Sequence, residues 1–194
     1  FFGKVLGIVI SGWLVWFLSS IHLVKFSRVG SIVILVLCAV ANYGLAYYFC
    51  RKKKVSLLSF LGLTDGSAVP AKALWYEAAF FALFAALTYL KCFNPEAFGT
   101  ERPMDYGFMM SMMKSDYMPP DDFWFSGTSL NYYYLGQFFA TYLTKLAGCT
   151  VNYGYNLALM MTAALCTLLV YSLVSRIFEV FLREREEDKK REGK

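Results

Sequence analysis

The sequence predicts an all-α fold: a polytopic membrane helix bundle of about five transmembrane helices, with a long polar loop between spans that carries a juxtamembrane helix. Three observations predict it. Hydrophobic residues make up 58% of the 194 residues and charged ones 17%, where a soluble domain carries about a quarter charged. Apolar runs of about 20 residues recur, each long enough to cross a bilayer core of roughly 30 Å. Between Asn94 and Gln137 these runs give way to NPEAFGTERPMDYGFMMSMMKSDYMPPDDFWFSGTSLNYYYLGQ, dense in acids, prolines and aromatics.

The net charge of +5 gathers at span ends. That is loop chemistry and not a footprint for nucleic acid. Cys38, Cys50, Cys92, Cys149 and Cys166 show no CxxC spacing and lie in or near apolar spans, so they read as small buried residues. His22, the single histidine, rules out a multi-histidine zinc site and reads as a polar group near a span end. The first residue is Phe1, so the chain reads as a piece of a longer protein or a processed product.

In order, residues 1–93 are expected to hold three transmembrane helices. The first covers about 5–24. Gly3, Gly7, Ser11 and Gly12 give it small residues at helical spacing, which permits close helix contact. A tight turn at 25–28 leads to the second span, 29–49, with Tyr43, Tyr47 and Tyr48 as an interfacial belt and Arg51 to Lys54 as a basic cluster. A short amphipathic interfacial segment is expected at 55–70. The third span, 71–93, carries Glu77. An ionisable group in a span is a functional candidate; the preferred reading is a headgroup-level carboxylate paired with Lys72 or the basic cluster. Residues 94–129 form the acidic, aromatic loop and 130–182 two further spans, at about 130–147 and 155–182. The tail, 183–194, is a solvated extension of mixed charge.

In the loop, Pro103 holds the backbone and restricts Arg102 to extended geometry. Asp105 is expected to cap a helix over YGFMMSMMKS. Phe108, Met109, Met112 and Met113 fall at helical spacing, so this helix should lie flat with its stripe against the membrane. The 117–124 segment is extended and stiff, and Ser126 to Thr128 turns the chain back. Glu101/Asp105 and Asp121/Asp122 are expected to flank one interfacial pocket. Such oxygens suit Mg²⁺ or Mn²⁺, and a carboxylate beside a sugar hydroxyl can act as a general base. The phenols of Tyr132, Tyr133 and Tyr134 can bond a phosphate or a sugar hydroxyl while their rings meet lipid.

The same run resembles the tri-tyrosine (YYY, DUF2298-type) family of multi-pass membrane proteins. The likeness covers about 77–159 and includes the Pro103-Met104-Asp105 triplet, the proline-aspartate-tryptophan stretch and Asn131 with its three tyrosines. The chain departs at Asp122-Phe123-Trp124, where the family usually has Asp-Pro-Trp. Members are much longer, which implies a remainder of the protein or a complex as partner.

More distantly, the layout is similar to GT-C lipid-linked glycosyltransferases, in which a span ends in an external loop opening on an acidic motif, followed by a flat helix, a proline segment and an aromatic run. That resemblance implies membrane lipid and a polyprenyl-phosphate sugar as ligands. It implies Asp105 as catalytic base or metal ligand, with Glu101 or Asp122 assisting. Asn131, Tyr132, Tyr133 and Tyr134, with Trp124 and Arg102, would bind substrate. Tyr106 stands where that family has a second adjacent acid, so Glu101 would substitute. The resemblance also places the loop outside the cell membrane, whereas with five spans the basic residues tie, or favour a cytoplasmic loop if the tail counts. Two other readings stand beside it: a non-catalytic membrane scaffold whose loop docks a partner and, more weakly, a transporter, which would want broken spans or paired intramembrane charges.

Overall fold

The computed structural model describes residues 1–56 and 69–192. The expected interfacial segment at 55–70 lies almost wholly outside them. The regular structure of the described residues is helical: α1 (Phe2–Ser20), α2 (Arg28–Lys53), α3 (Val69–Cys92), α4 (Arg102–Lys114), α5 (Leu135–Ala147) and α6 (Val151–Glu192). Its only bridge between extended residues joins Asp121 to Ser129.

Among the described residues four helices, not the expected five, are long and apolar enough to cross a membrane: α1, α2, α3 and α6. The expected fourth span is α5, which has 13 residues. At 1.5 Å per residue it covers about 20 Å, short of a bilayer core. The apolar run that suggested a span at 130–147 is real, but its first residues are not helical. Helix begins only after the tyrosines and stops at Gly148, which takes the left-handed conformation (φ 71°) that closes a helix.

Contacts between helix ends set the topology. At one end the start of α1 meets the start of α3: the Phe1 ring lies tilted beside that of Tyr76, and Lys4 pairs with Glu77. Tyr76 also meets Tyr171 of α6, with centroids 6.2 Å apart. At the other end the 21–27 link lies against the end of α4, where the Phe26 amide donates to the Asp116 carbonyl. There too Asn156 of α6 donates to the Pro95 carbonyl just beyond α3. So α1 and α3 run toward the loop end and α2 and α6 run back. Arg51 to Lys54 and the charged tail therefore share the end opposite the loop, which corrects the tail's expected placement beside the loop.

The link and α2 start from a local device. Ser27, in extended geometry, accepts the Gly30 amide at 3.0 Å and caps α2. Glu77 is paired as expected, but with Lys4 of α1; the side chain of Lys72 lies outside the described ones. Of the small residues on α1, Gly3 and Gly7 meet nothing, whereas a β-carbon on Gly12 would fall 2.6 Å from the Phe139 ring. Beside it, Ser11 accepts the Tyr142 hydroxyl at 3.0 Å, and both residues are buried. All five cysteines are free. Cys50 is buried, but Cys92 and Cys166 are exposed on the bundle's outer surface, against expectation.

α5 is the plug of the loop-side half. Phe138, Thr141, Tyr142 and Lys145 recur at three- and four-residue spacing and are all buried. Phe138 and Tyr142 join Val15, Phe26, Ile34, Phe108 and Met112 in the largest core cluster. α3 and α6 close the bundle below, through Phe80, Ala164 and Leu168. α2 buries only Ser31, Ile34 and Cys50.

Candidate functional site

α4 positions the site. Pro103 falls in its first turn, where a missing amide hydrogen costs nothing. Arg102 is therefore the first helical residue and not an extended one. Glu101 precedes it without a side-chain cap. Asp105, also in the first turn, does not cap either. Its Oδ1 accepts the Gln137 amide of α5 at 2.7 Å, which ties the loop's key acid to the plug helix. Gln137 is a site residue that the sequence did not single out; its one signal was its place four residues after Tyr133.

The apolar stripe of α4 exists, but it faces protein rather than membrane. Phe108, Met109 and Met112 are at most 1% exposed. Met109 packs with Val151 and Tyr155 of α6. Phe108 sits at the centre of the aromatic site, with ring centroids 5.6 Å from Tyr132, 5.7 Å from Phe123 and 6.3 Å from Trp124.

The loop after α4 folds back as a short hairpin. The Leu130 amide donates to the Pro120 carbonyl and the Asp122 amide to the Thr128 carbonyl. Met118 and Pro120 are buried at its base. Asp122 Oδ1 accepts the Trp124 and Phe125 amides at 2.8 and 3.1 Å, an Asx turn that raises Trp124 and Phe125 to an exposed apex.

The three tyrosines divide their work. Tyr132 and Tyr133 stack with centroids 4.0 Å apart, and the Tyr132 hydroxyl donates to that of Tyr133 at 2.7 Å. That hydrogen bond holds the Tyr132 phenol above its ordinary pKa, followed in effect by burial and by the nearby charges of Tyr133, Glu101 and Asp105. Tyr134 turns inward and accepts the Trp16 indole at 3.2 Å; burial raises its pKa and that hydrogen bond lowers it. Asn131 and Arg102 are exposed, and Arg102 reaches the Phe98 carbonyl at 3.4 Å.

The two acidic pairs do not share one pocket. Asp121 and Asp122 line a cleft of about 280 Å³ with Gly107, Ser111 and Lys114. At 100° per residue those α4 positions lie on the far side of the helix from Asp105. Glu101 and Asp105 instead stand on the Tyr132 and Gln137 side. Among the described residues no group of three or more His, Cys, Asp or Glu is placed to hold a metal. With Asp122 also engaged by its own backbone, Asp105 and Asp122 do not fit a shared Mg²⁺ or Mn²⁺.

Such an arrangement can do two things. It offers a half-buried carboxylate with one oxygen fixed and the other open, beside phenols that bond hydroxyls or phosphate. It also offers exposed rings on which a sugar face can stack. Both stand at the end of the bundle where α1 and α3 end and α2 and α6 begin.

The chain belongs to the family described as uncharacterized membrane protein (DUF2298), whose model matches residues 10–188. No curated protein and no solved structure matches it.

Proposed function

Starting from membership in that membrane family, we propose that the chain is the membrane part of a GT-C-like glycosyltransferase that takes its sugar from a polyprenyl-phosphate donor. The observation that carries the reading is Asp105. It is half-buried, oriented by Gln137, within electrostatic reach of Tyr132, and at the end of the bundle opposite Arg51. A carboxylate so held can take the proton from an acceptor hydroxyl as that oxygen attacks the anomeric carbon. The bond from anomeric carbon to phosphate oxygen breaks, and the lipid phosphate leaves with its electron pair. Glu101 adds negative charge beside the base. Tyr132 and Tyr133 offer hydroxyls to the phosphate or sugar, Trp124 a stacking face, and Arg102 and Asn131 polar contacts at the rim.

The external placement of the loop belongs to the same reading. Four spans put Arg51 to Lys54, Arg176 and the basic tail residues at one end, against Lys25, Arg28, Lys91, Arg102, Lys114 and Lys145 at the other. The excess on the Arg51 side supports a cytoplasmic location for that end under the positive-inside rule, and hence an extracytoplasmic loop.

The test is transfer of labelled sugar from a polyprenyl-phosphate carrier to acceptor by the full-length protein in membranes. Asp105→Asn keeps the shape and removes the base, and a drop of about 10²–10⁴-fold is expected. Undiminished transfer by that variant rejects the role. The alternative, a non-catalytic membrane scaffold whose loop docks a partner, draws on the exposed rings of Trp124 and Phe125 at the loop apex. It predicts no transfer by the unaltered protein and a stable partner on the loop.

A further inference from the structure

At the loop-side end α3 and α6 part, leaving a cleft of about 300 Å³ between the last turns of one and the first turns of the other. Its wall is apolar, with Leu157 and Met160 running down α6 and Cys92 across from them. Lys91 stands at its mouth as the one charged group of the lining, and among the described residues no carboxylate pairs with it. Two carboxamides flank it. Asn152 Oδ1 accepts the Tyr106 hydroxyl, which fixes the amide and leaves its NH₂ without a described acceptor. Asn156 donates to the Pro95 carbonyl at 2.8 Å, while its Oδ1 has no partner. The neighbouring outer surface is exposed and apolar: Tyr89, Leu90 and Phe93 on α3 and Tyr153 on α6. The cleft therefore opens sideways, at the height where spans end.

We propose that this cleft binds one anionic glycerophospholipid from the surrounding bilayer. The phosphodiester would lie against Lys91 and the Asn152 amide, and one acyl chain would descend along Leu157 and Met160. The chemistry selects this occupant. A soluble anion has no use for an apolar slot, and a neutral lipid has none for an unpaired ammonium. One cation with an amide donor matches the single negative charge of a phosphodiester, whose oxygens accept charge-assisted hydrogen bonds. The proposal does not rest on Asp105 or on sugar transfer. It does place a bound lipid one hydrogen bond from α4, through Asn152 and Tyr106.

The full-length protein, reconstituted with equal phosphatidylglycerol and phosphatidylcholine, is examined by native mass spectrometry. Retained phosphatidylglycerol is expected. Lys91→Gln should lower its occupancy about fivefold, the effect of one basic residue on an anionic lipid. Lys91→Arg should keep it. Met160→Trp, which fills the slot, should lower it with Lys91 intact. Lys114→Gln, a lysine outside the cleft at the same end, should leave it unchanged. Equal retention by Lys91→Gln, or an equal loss in Lys114→Gln, overturns the site. Displacement of phosphatidylglycerol by an equimolar polyprenyl phosphate overturns the phospholipid as its occupant. Each readout is binding, so loss of sugar transfer alone leaves this result untouched.

Discussion

Replacing Phe108 with alanine tests whether the stripe of α4 faces protein. Phe108 is fully buried, in a cluster with Met112, Phe138, Phe26 and Val15, and its ring touches those of Tyr132, Phe123 and Trp124. A buried Phe→Ala change costs about 3–5 kcal/mol, from lost transfer energy and the cavity left behind. That is a factor of at least about 100 in the folded ratio, since about 1.4 kcal/mol is tenfold. A ring facing lipid would lose little, because the same methylenes would refill the space. Phe108→Leu, which keeps most of the volume, should cost less than about 1.5 kcal/mol. The assay is unfolding of the purified protein in detergent, by circular dichroism, with tryptophan emission as a second probe. Trp124 packs its ring edge-on against that of Phe108, so its emission should change in Phe108→Ala before the helices melt. If Phe108→Ala loses under about 1 kcal/mol and emission is unchanged, the stripe does not bury as described, and α4 lies on the membrane after all.

Two more expectations follow from the fold. With α5 too short to span, a reporter tag inserted after Gly148 should appear on the same side as one inserted at Gly127, and on the opposite side from one after Lys54. Opposite sides for Gly127 and Gly148 would restore five spans. Lys145 sets a pH dependence. Burial lowers its ammonium to about 8, partly opposed by the charge of Asp116, while its amine donates to the Phe26 carbonyl and sits over that ring. The native state therefore releases this proton near pH 8 and the unfolded chain near its ordinary 10.5. Between those values the unfolded state holds more protons, so stability should rise with pH. Lys145→Met should flatten that rise in a thermal-melt series from pH 7 to 10; an unchanged slope would assign it to other groups.

Much of the bundle was legible because lipid-spanning helices are written locally. Length and apolar run alone specify α1, α2, α3 and α6, since only a closed set of backbone hydrogen bonds survives in hydrocarbon. The apolar spacing of Phe108, Met109 and Met112 specified a helix in the loop for the same reason. What these patterns lack is direction: the spacing gives a stripe, and only the position of α5 and α6 says that it meets protein. Glu77 was legible as a group needing a partner, but Lys4 lies 73 residues away, beyond any local signal.

By itself the sequence determined the class, the spans and the stretch where polar groups collect, because burial in a bilayer is decided residue by residue along one helix. Tertiary structure alone decided that the run after the tyrosines stays short and plugs the bundle. It also decided that α4 separates Asp105 from Asp122, and that Gln137 holds the carboxylate. Those outcomes depend on which faces meet across the chain, and the energy of such a meeting belongs to two distant segments at once.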